Sequence, residues 1–219
     1  MSRAFSDWQI IDHDQRAFLA FGLRTARETH DRLWDEAGRE PGDPDGPEQI
    51  DVFEDRIDRL WLHDYEWMFL AAVVRDAVTN FEVYLEKASA EVLLAHEAAV
   101  VRAPKWHQLR DVFARLGVQI DSPQVKQVRD LRHFLTHQRG ELRTDAERKQ
   151  FAPDPDGVPP ITVELTEESV VKILDQLGAA VRTVDPAVWD HTFGGIRKVE
   201  LRVTERESPK PRPAGRSTT

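Results

Sequence analysis

Residues 122–140 read SPQVKQVRDLRHFLTHQRG, and this stretch predicts one helix whose two ends are both marked. Ser122 suits the N-cap because its hydroxyl can accept a free backbone N–H, and Pro123 suits the first helical turn. Gly140 can adopt the left-handed conformation that closes many helices. Between these ends, four apolar residues recur at helical spacing: Val125, Val128, Leu131 and Leu135. The pattern indicates an amphipathic helix that buries one face.

Arg132 lies inside or beside this apolar stripe rather than opposite it. An arginine directed at an apolar contact needs an anion, a partner or a subunit boundary, because an unpaired buried charge is too costly. His137 follows five residues later, near the helix end. Five steps of about 100° separate the two side chains by about 140° on an ideal helix. We therefore expect them to meet at one point only if the helix end is distorted or a second copy of the chain contributes.

The composition narrows the classes of protein to consider. The chain has 219 residues, 40% of them hydrophobic, and no cysteine. The size favours one domain with an elaborated terminus, and the lack of cysteine excludes disulfides, thiolate metal ligands and cysteine nucleophiles. The N-terminal residues lack the apolar run of a signal peptide. The longest fully apolar run, residues 68–74, is far below the ~20 residues of a membrane span, so we expect a cytoplasmic protein.

Charge is distributed unevenly along the chain. The net charge is −9, yet residues 101–149 hold 11 basic and 6 acidic residues, whereas residues 1–100 hold 10 basic and 22 acidic ones. The basic third contains the candidate pair Arg132 and His137. A local positive field can attract an anion even on an acidic protein. The alternative interpretation is that this segment is simply a solvated face.

Most of the chain is predicted to be helical. Apolar residues at helical spacing predict further helices over about 12–34, 48–97 with a break near residue 63, 104–117, and 166–184. Residues 161–165 alternate as a short extended piece would, and Pro186 is predicted to start a brief turn. The fold class is an all-α helical bundle. We divide it into an N-terminal part (1–63), the bundle proper (64–205) and a disordered tail (206–219).

The segment RDLRHFLTHQRGE, residues 129–141, resembles the HEPN superfamily of helical-bundle proteins. The signature of that family is an arginine, usually a polar residue, several further positions and a histidine, matched here by Arg132, His133 and His137. The resemblance covers roughly residues 64–184. Similar Arg-to-His spacings occur three more times by chance: Arg24/His30, Arg56/His63 and Arg102/His107. The predicted helix around it and the excess of basic residues in 101–149 distinguish the match at Arg132 from the other three.

The resemblance implies a function and a set of site residues. Many HEPN proteins are metal-independent endoribonucleases of toxin–antitoxin or phage-defence loci, and they dimerise so that two motifs line one cleft. It implies catalytic roles for Arg132 and His137, no cofactor, RNA as substrate, and a homodimer with a possible antitoxin or other protein partner. His133, Arg139 and Arg129 are candidates for binding the substrate phosphates. We expect the dimer contact at the apolar stripe beside Arg132.

Other interpretations compete with this one. Arg132 could pair with a carboxylate from the acidic first hundred residues, and His137 could cap its helix through the helix dipole. The chain would then be a non-catalytic helical module that binds a protein partner, or a bundle that binds a ligand between helices. His133 and His137 are spaced i, i+4 as in two-histidine metal sites, but no third ligand is evident nearby, so we predict no metal site.

Overall fold

The computed structural model describes residues 1–38, 48–58, 60–151 and 160–194. The helices in these ranges are α1 (Arg3–Ala37), α2 (Gln49–Arg56), α3 (Leu62–Ala95), α4 (Trp106–Arg115), α5 (Pro123–His137), α6 (Asp145–Gln150) and α7 (Glu167–Thr192). Within the same ranges the chain forms no β-strand, and one isolated bridge joins Glu141 to Thr162. The predicted all-α bundle is confirmed.

Helix α3 is the centre of the bundle, and α1, α5 and α7 pack around it. It is buried on more than one face, as its apolar composition predicts. The side chains of α3 that are almost completely buried include Val74, Val78, Phe81, Tyr84, Leu85, Ala88 and Val92. Residues of α1 share this core, so the N-terminal helix packs with the rest of the bundle.

Ion pairs and hydrogen bonds between helices show how α1, α3 and α7 run relative to one another. Lys87 and Glu66 of α3 contact Asp7 and Arg27 of α1, respectively, so α1 runs antiparallel to α3. Arg27 also contacts Glu167 at the start of α7, while Asp185, further along α7, bonds to Ser2. Helix α7 is therefore antiparallel to α1 and parallel to α3.

The structure corrects several predicted boundaries. Helix α1 begins at Arg3 rather than near residue 12, because Ser2 caps it and Phe5 and Trp8 are buried in the core. The predicted break near residue 63 lies slightly earlier, between Arg56 and Leu62. The helix expected from Pro104 begins at Trp106.

The brief turn expected at Pro186 is wrong. Helix α7 continues through this proline to Thr192. Proline lacks an N–H and usually kinks or ends a helix, but here Val184 and Val188 on either side are buried in the core. Packing of the flanking residues thus overrides the local preference.

Three predicted segments lie partly or wholly outside the described residues: most of the acidic loop 36–47, the loop 153–160 and the tail after residue 205. In the ranges that are described, no helix combines the length and the apolar character needed to cross a bilayer.

Candidate functional site

Helix α5 carries four of the five predicted site residues. Its N-terminal end forms as the sequence indicates, and it ends at His137, three residues before Gly140. The Ser122 hydroxyl accepts the Val125 N–H at 3.2 Å. At the other end, Arg139 and Gly140 both have positive φ, at 51° and 79°. A Cβ at Gly140 would lie 2.6 Å from Cζ2 of Trp67, so glycine is required there for space as well as for conformation.

The apolar stripe of α5 is buried inside its own chain. Its four residues, Val125, Val128, Leu131 and Leu135, belong to the single core of the bundle. They are at most 6% exposed. The predicted position of a dimer contact on this stripe is therefore wrong, because no part of the stripe is available to a second copy. Dimerisation itself stays a prediction.

The next face of α5 borders a small open depression, which we call the α5 pocket. Its volume is about 200 Å³. One lining residue comes from α3 and five come from α5: Glu82, Arg129, Arg132, His133, Thr136 and His137. The α5 residues follow the spacing i, i+3, i+4, i+7 and i+8, which is one face of a helix.

Arg132 and His137 thus border the same depression on one chain. The helix end between them is regular, since the Gln138 N–H bonds to the Phe134 carbonyl at 2.9 Å. The two residues stand at opposite edges of the polar face. Both nevertheless line the α5 pocket of one chain, so neither of the two expected conditions, a distorted helix end or a second copy of the chain, is needed to place them at one depression.

Glu82 holds both arginines of the pocket. Its Oε2 accepts a hydrogen bond from Nη1 of Arg132 at 2.7 Å, and its Oε1 accepts one from Nε of Arg129 at 3.1 Å. The predicted alternative that Arg132 pairs with a carboxylate of the first hundred residues is confirmed. One carboxylate serves two guanidinium groups, so this trio carries a net charge of +1.

The trio is only partly shielded from solvent. The side chains of Glu82, Arg129 and Arg132 are 23%, 27% and 35% exposed. Arg129 is held on a second side by Trp106 of α4, whose ring centroid lies 3.5 Å from the guanidinium carbon. This cation–π contact fixes the Arg129 guanidinium against the bundle. The Arg132 guanidinium is the more exposed of the two.

His133 and His137 complete the pocket on its solvent side. Both side chains are exposed. Their ring centroids are 4.8 Å apart and the rings are tilted by 49°. The pair is therefore close enough for both imidazoles to face one small group bound in the pocket.

The structure brings four of the five predicted site residues together and separates the fifth. Arg129, Arg132, His133 and His137 line the α5 pocket. Arg139 lies beyond the helix end and lines a different, larger groove with Trp67 and Glu164 among others. Its predicted contact with the same phosphate therefore has no support from its position.

Sequence reasoning missed Glu82, Trp106 and Thr136 as members or supports of this site. Glu82 is 50 residues from Arg132 and sits in a helix of 34 residues, 13 of which are buried. Thr136 could have been found from the helical period, because it follows Arg132 by four residues. No such local signal marks Glu82 or Trp106.

In the described part of the chain, no group of three or more histidine, aspartate or glutamate side chains is placed to hold a metal ion. The i, i+4 pair of His133 and His137 would thus need ligands from elsewhere to form a metal centre.

Comparisons of the chain with models of known families, with curated proteins and with solved structures gave no match. The resemblance of residues 129–141 to the HEPN superfamily therefore stays a prediction.

Proposed function

We propose that this chain is an endoribonuclease of the HEPN type that cleaves RNA without a metal ion, using the α5 pocket. The observation that carries the proposal is the composition of this pocket. Two guanidinium groups and two imidazoles converge on one small, solvent-open depression whose arginine–glutamate trio has a net positive charge.

Arg132 is suited to bind the phosphodiester. A guanidinium has five N–H donors and stays charged at any physiological pH, and the contact with Glu82 engages Nη1 of Arg132. A phosphate can accept hydrogen bonds from the remaining donors. Glu82 orients the guanidinium, and Arg129 supplies the second positive charge, so the trio attracts an anion although it contains a carboxylate.

His137 is suited to move a proton. The unperturbed pKa of histidine lies near neutrality, which makes imidazole the common general acid or base at physiological pH. In RNA the attacking group is the 2′-hydroxyl of the substrate itself, next to the scissile phosphate, so no metal-activated water is required. The expected products are a 2′,3′-cyclic phosphate and a 5′-hydroxyl.

The first experiment incubates the purified protein with single-stranded RNA in the presence of EDTA. We expect cleavage that leaves cyclic phosphate ends, and we expect Arg132→Ala and His137→Ala each to reduce the rate at least ~10²-fold, the usual range for such groups. Arg102→Ala is the matched control, because Arg102 belongs to a chance Arg-to-His spacing and lies outside the pocket. Unchanged cleavage by both pocket variants would show that the site is wrong.

Growth after expression tests the cellular role. An endoribonuclease that acts as a toxin or phage-defence effector should arrest growth when it is produced without its inhibitor, and the His137→Ala variant should not. Growth arrest by both proteins would contradict a role of RNA cleavage in the arrest.

A second candidate is a non-catalytic helical module that binds a protein partner. It is favoured by one observation, namely that both pocket arginines already have an internal partner in Glu82. This function predicts that the pure protein cuts no RNA, and that Arg132→Ala weakens capture of a specific partner protein while His137→Ala affects it little.

A further inference from the structure

RNA cleavage by the 2′-hydroxyl requires two proton transfers. One removes the proton of the 2′-hydroxyl as its oxygen attacks phosphorus, and the other adds a proton to the 5′-oxygen as it leaves. Arginine cannot perform either transfer, because its guanidinium stays protonated at any physiological pH. If His137 performs one of them, the pocket still needs a second titratable group for the other.

His133 is the side chain placed for that second transfer. It lies one helical turn before His137, about 6 Å along the axis, and the two ring centroids are 4.8 Å apart. The other charged groups of the pocket are Glu82 of α3 and Arg129 and Arg132 of α5. Glu82 is engaged by both arginines, so the imidazoles are the groups left to exchange protons with a substrate.

We propose that His133 and His137 of one chain act as a paired general acid and general base. This inference rests on the proposed ribonuclease function. One neutral imidazole takes the proton of the 2′-hydroxyl, the 2′-oxygen forms a bond to phosphorus, and the bond from phosphorus to the 5′-oxygen breaks. The other imidazole, protonated beforehand, gives its proton to that oxygen. The net change is transfer of one proton between substrate oxygens through the protein.

The arrangement gives His133 a role different from the phosphate contact expected from the sequence. Two guanidinium groups already supply the positive charge for the phosphate oxygens. In an in-line displacement the attacking and leaving oxygens lie on opposite sides of phosphorus, so acid and base must be separate groups on either side of the phosphoryl group. The two neighbouring imidazoles, 4.8 Å apart, supply two separate groups for these roles, whereas a single histidine cannot serve as acid and base at the same time.

The test uses two RNA substrates that differ in the leaving atom. One is ordinary RNA, and the other has sulfur in place of the bridging 5′-oxygen at the scissile phosphate. A thiol has a pKa of about 8.5, so the thiolate leaves without being protonated and the general acid becomes dispensable. The proteins are the wild type, His133→Ala, His137→Ala and the control His13→Ala, whose histidine is exposed on α1.

On ordinary RNA we expect each pocket variant to lose ~10²- to 10⁴-fold in rate, the range of general acid–base catalysis. On the sulfur substrate we expect one of the two variants to recover to within about tenfold of the wild type, and the other to stay slow. The recovered variant identifies the acid. His13→Ala should match the wild type on both substrates.

Three outcomes would overturn the pairing. His133→Ala could cleave ordinary RNA at the wild-type rate, both variants could recover on the sulfur substrate, or neither could. A wild-type protein that cleaves neither substrate would instead overturn the proposed function itself. The two failures are distinguishable, because the first three require an active wild type.

A mixing experiment tests whether the pair belongs to one chain. Equal amounts of His133→Ala and His137→Ala are unfolded together, refolded and assayed on ordinary RNA. If the two imidazoles act within one chain, no mixture contains an intact site and activity stays low. Recovery of a quarter or more of the wild-type rate would mean that the histidines come from two copies, which would overturn the single-chain arrangement.

Discussion

Two carboxylates, Asp185 and Glu82, each tie one helix of the bundle to another part of the chain, in opposite surroundings. Asp185 of α7 is 7% exposed and accepts hydrogen bonds from the backbone N–H and the hydroxyl of Ser2, which is fully buried. Glu82 of α3 is 23% exposed and accepts from two guanidinium groups beside an open pocket. The contact of Asp185 joins two buried parts of the bundle, whereas the contact of Glu82 leaves a net positive charge beside the pocket.

The difference separates a structural polar contact from a candidate site. At Asp185 the donors are neutral, so the contact brings no positive charge to the carboxylate. Burial, and then the nearby Asp185, raise the pKa of Tyr84. No ligand could reach this carboxylate without opening the core. At Glu82 two positively charged donors contact one negatively charged acceptor, and the excess positive charge is accessible to an anion. Accessibility and surplus charge, rather than the presence of an ion pair, distinguish the two regions.

Among the variants that test this contrast between Asp185 and Glu82, the largest effect is expected for Arg132→Lys. Lysine keeps the charge but lacks the planar fork that matches phosphate oxygens, so we expect RNA cleavage to fall ~10²-fold, about 2.7 kcal/mol of transition-state stabilisation. A partly exposed ion pair contributes about 0–1 kcal/mol to folding, so the melting temperature should change little. Rates and melting curves of the same preparation check both statements. A variant with wild-type rates would mean that Arg132 supplies only charge.

The opposite pattern is expected for Asp185→Ala. The substitution leaves the buried donors of Ser2 without their acceptor, which typically costs about 1–3 kcal/mol. For a chain of this size, each kcal/mol lowers the melting temperature by about 2–4 °C. RNA cleavage per folded molecule should stay unchanged, because Asp185 does not line the α5 pocket.

The control for this variant is Asp175→Ala, which removes an ion pair with Arg16 whose aspartate side chain is 63% exposed. Its effect on stability should be below about 1 kcal/mol. Equal losses of stability in Asp185→Ala and Asp175→Ala would mean that the buried contact of Asp185 contributes no more than an exposed ion pair.

The sequence predicts those parts of the molecule that depend on neighbours along the chain. Ser122 marks the start of α5 because capping requires only the adjacent turn, and Gly140 marks its end to within three residues. The periodic apolar residues of α5 are predicted for the same reason. These local signals suffice for the fold class and for placing Arg132 and His137 on one helix.

Contacts between distant segments could not be predicted in the same way. Glu82 is one of 39 acidic residues, and nothing near it in the chain shows that α3 and α5 bring it to Arg132. The stacking of Trp106 on Arg129 depends likewise on how α4 meets α5. The continuation of α7 through Pro186 depends on packing, which overrides the local preference for a turn.

A smaller effect is expected for Glu82→Gln, which raises the net charge of the trio from +1 to +2. In an inactive His137→Ala background, we expect single-stranded RNA to bind up to about fivefold more tightly, since a part-exposed charge contributes up to about 1 kcal/mol. One further phosphate contact should steepen the dependence of log affinity on log salt by about 0.7. Glu28→Gln, on an exposed position of α1, matches the change in net charge. Equal effects of both variants would exclude a local role of Glu82.

The smallest expected effect concerns a second pair of histidines, His96 and His191, at the C-terminal ends of α3 and α7. Their ring centroids are 5.5 Å apart, against 4.8 Å for His133 and His137, but His96 is buried and both rings of the pocket pair are exposed. Burial, and then the nearby His96, lower the pKa of His191 below its usual 6.5.

A histidine whose pKa is lowered in the folded state makes stability depend on pH in one direction. Below pH ~6.5 the unfolded chain binds a proton that folded His191 does not, so the free energy of unfolding falls as the pH drops from about 6.5 towards the lowered pKa and levels off below that pKa. His191→Gln removes this contribution, and the loss of melting temperature between about pH 7 and pH 5 should become smaller. His13→Gln is the matched control for loss of an imidazole. An unchanged pH dependence in His191→Gln would mean that protons bind His191 equally in the folded and the unfolded state. The more buried pair, His96 and His191, would then not differ in this respect from the exposed pair, His133 and His137.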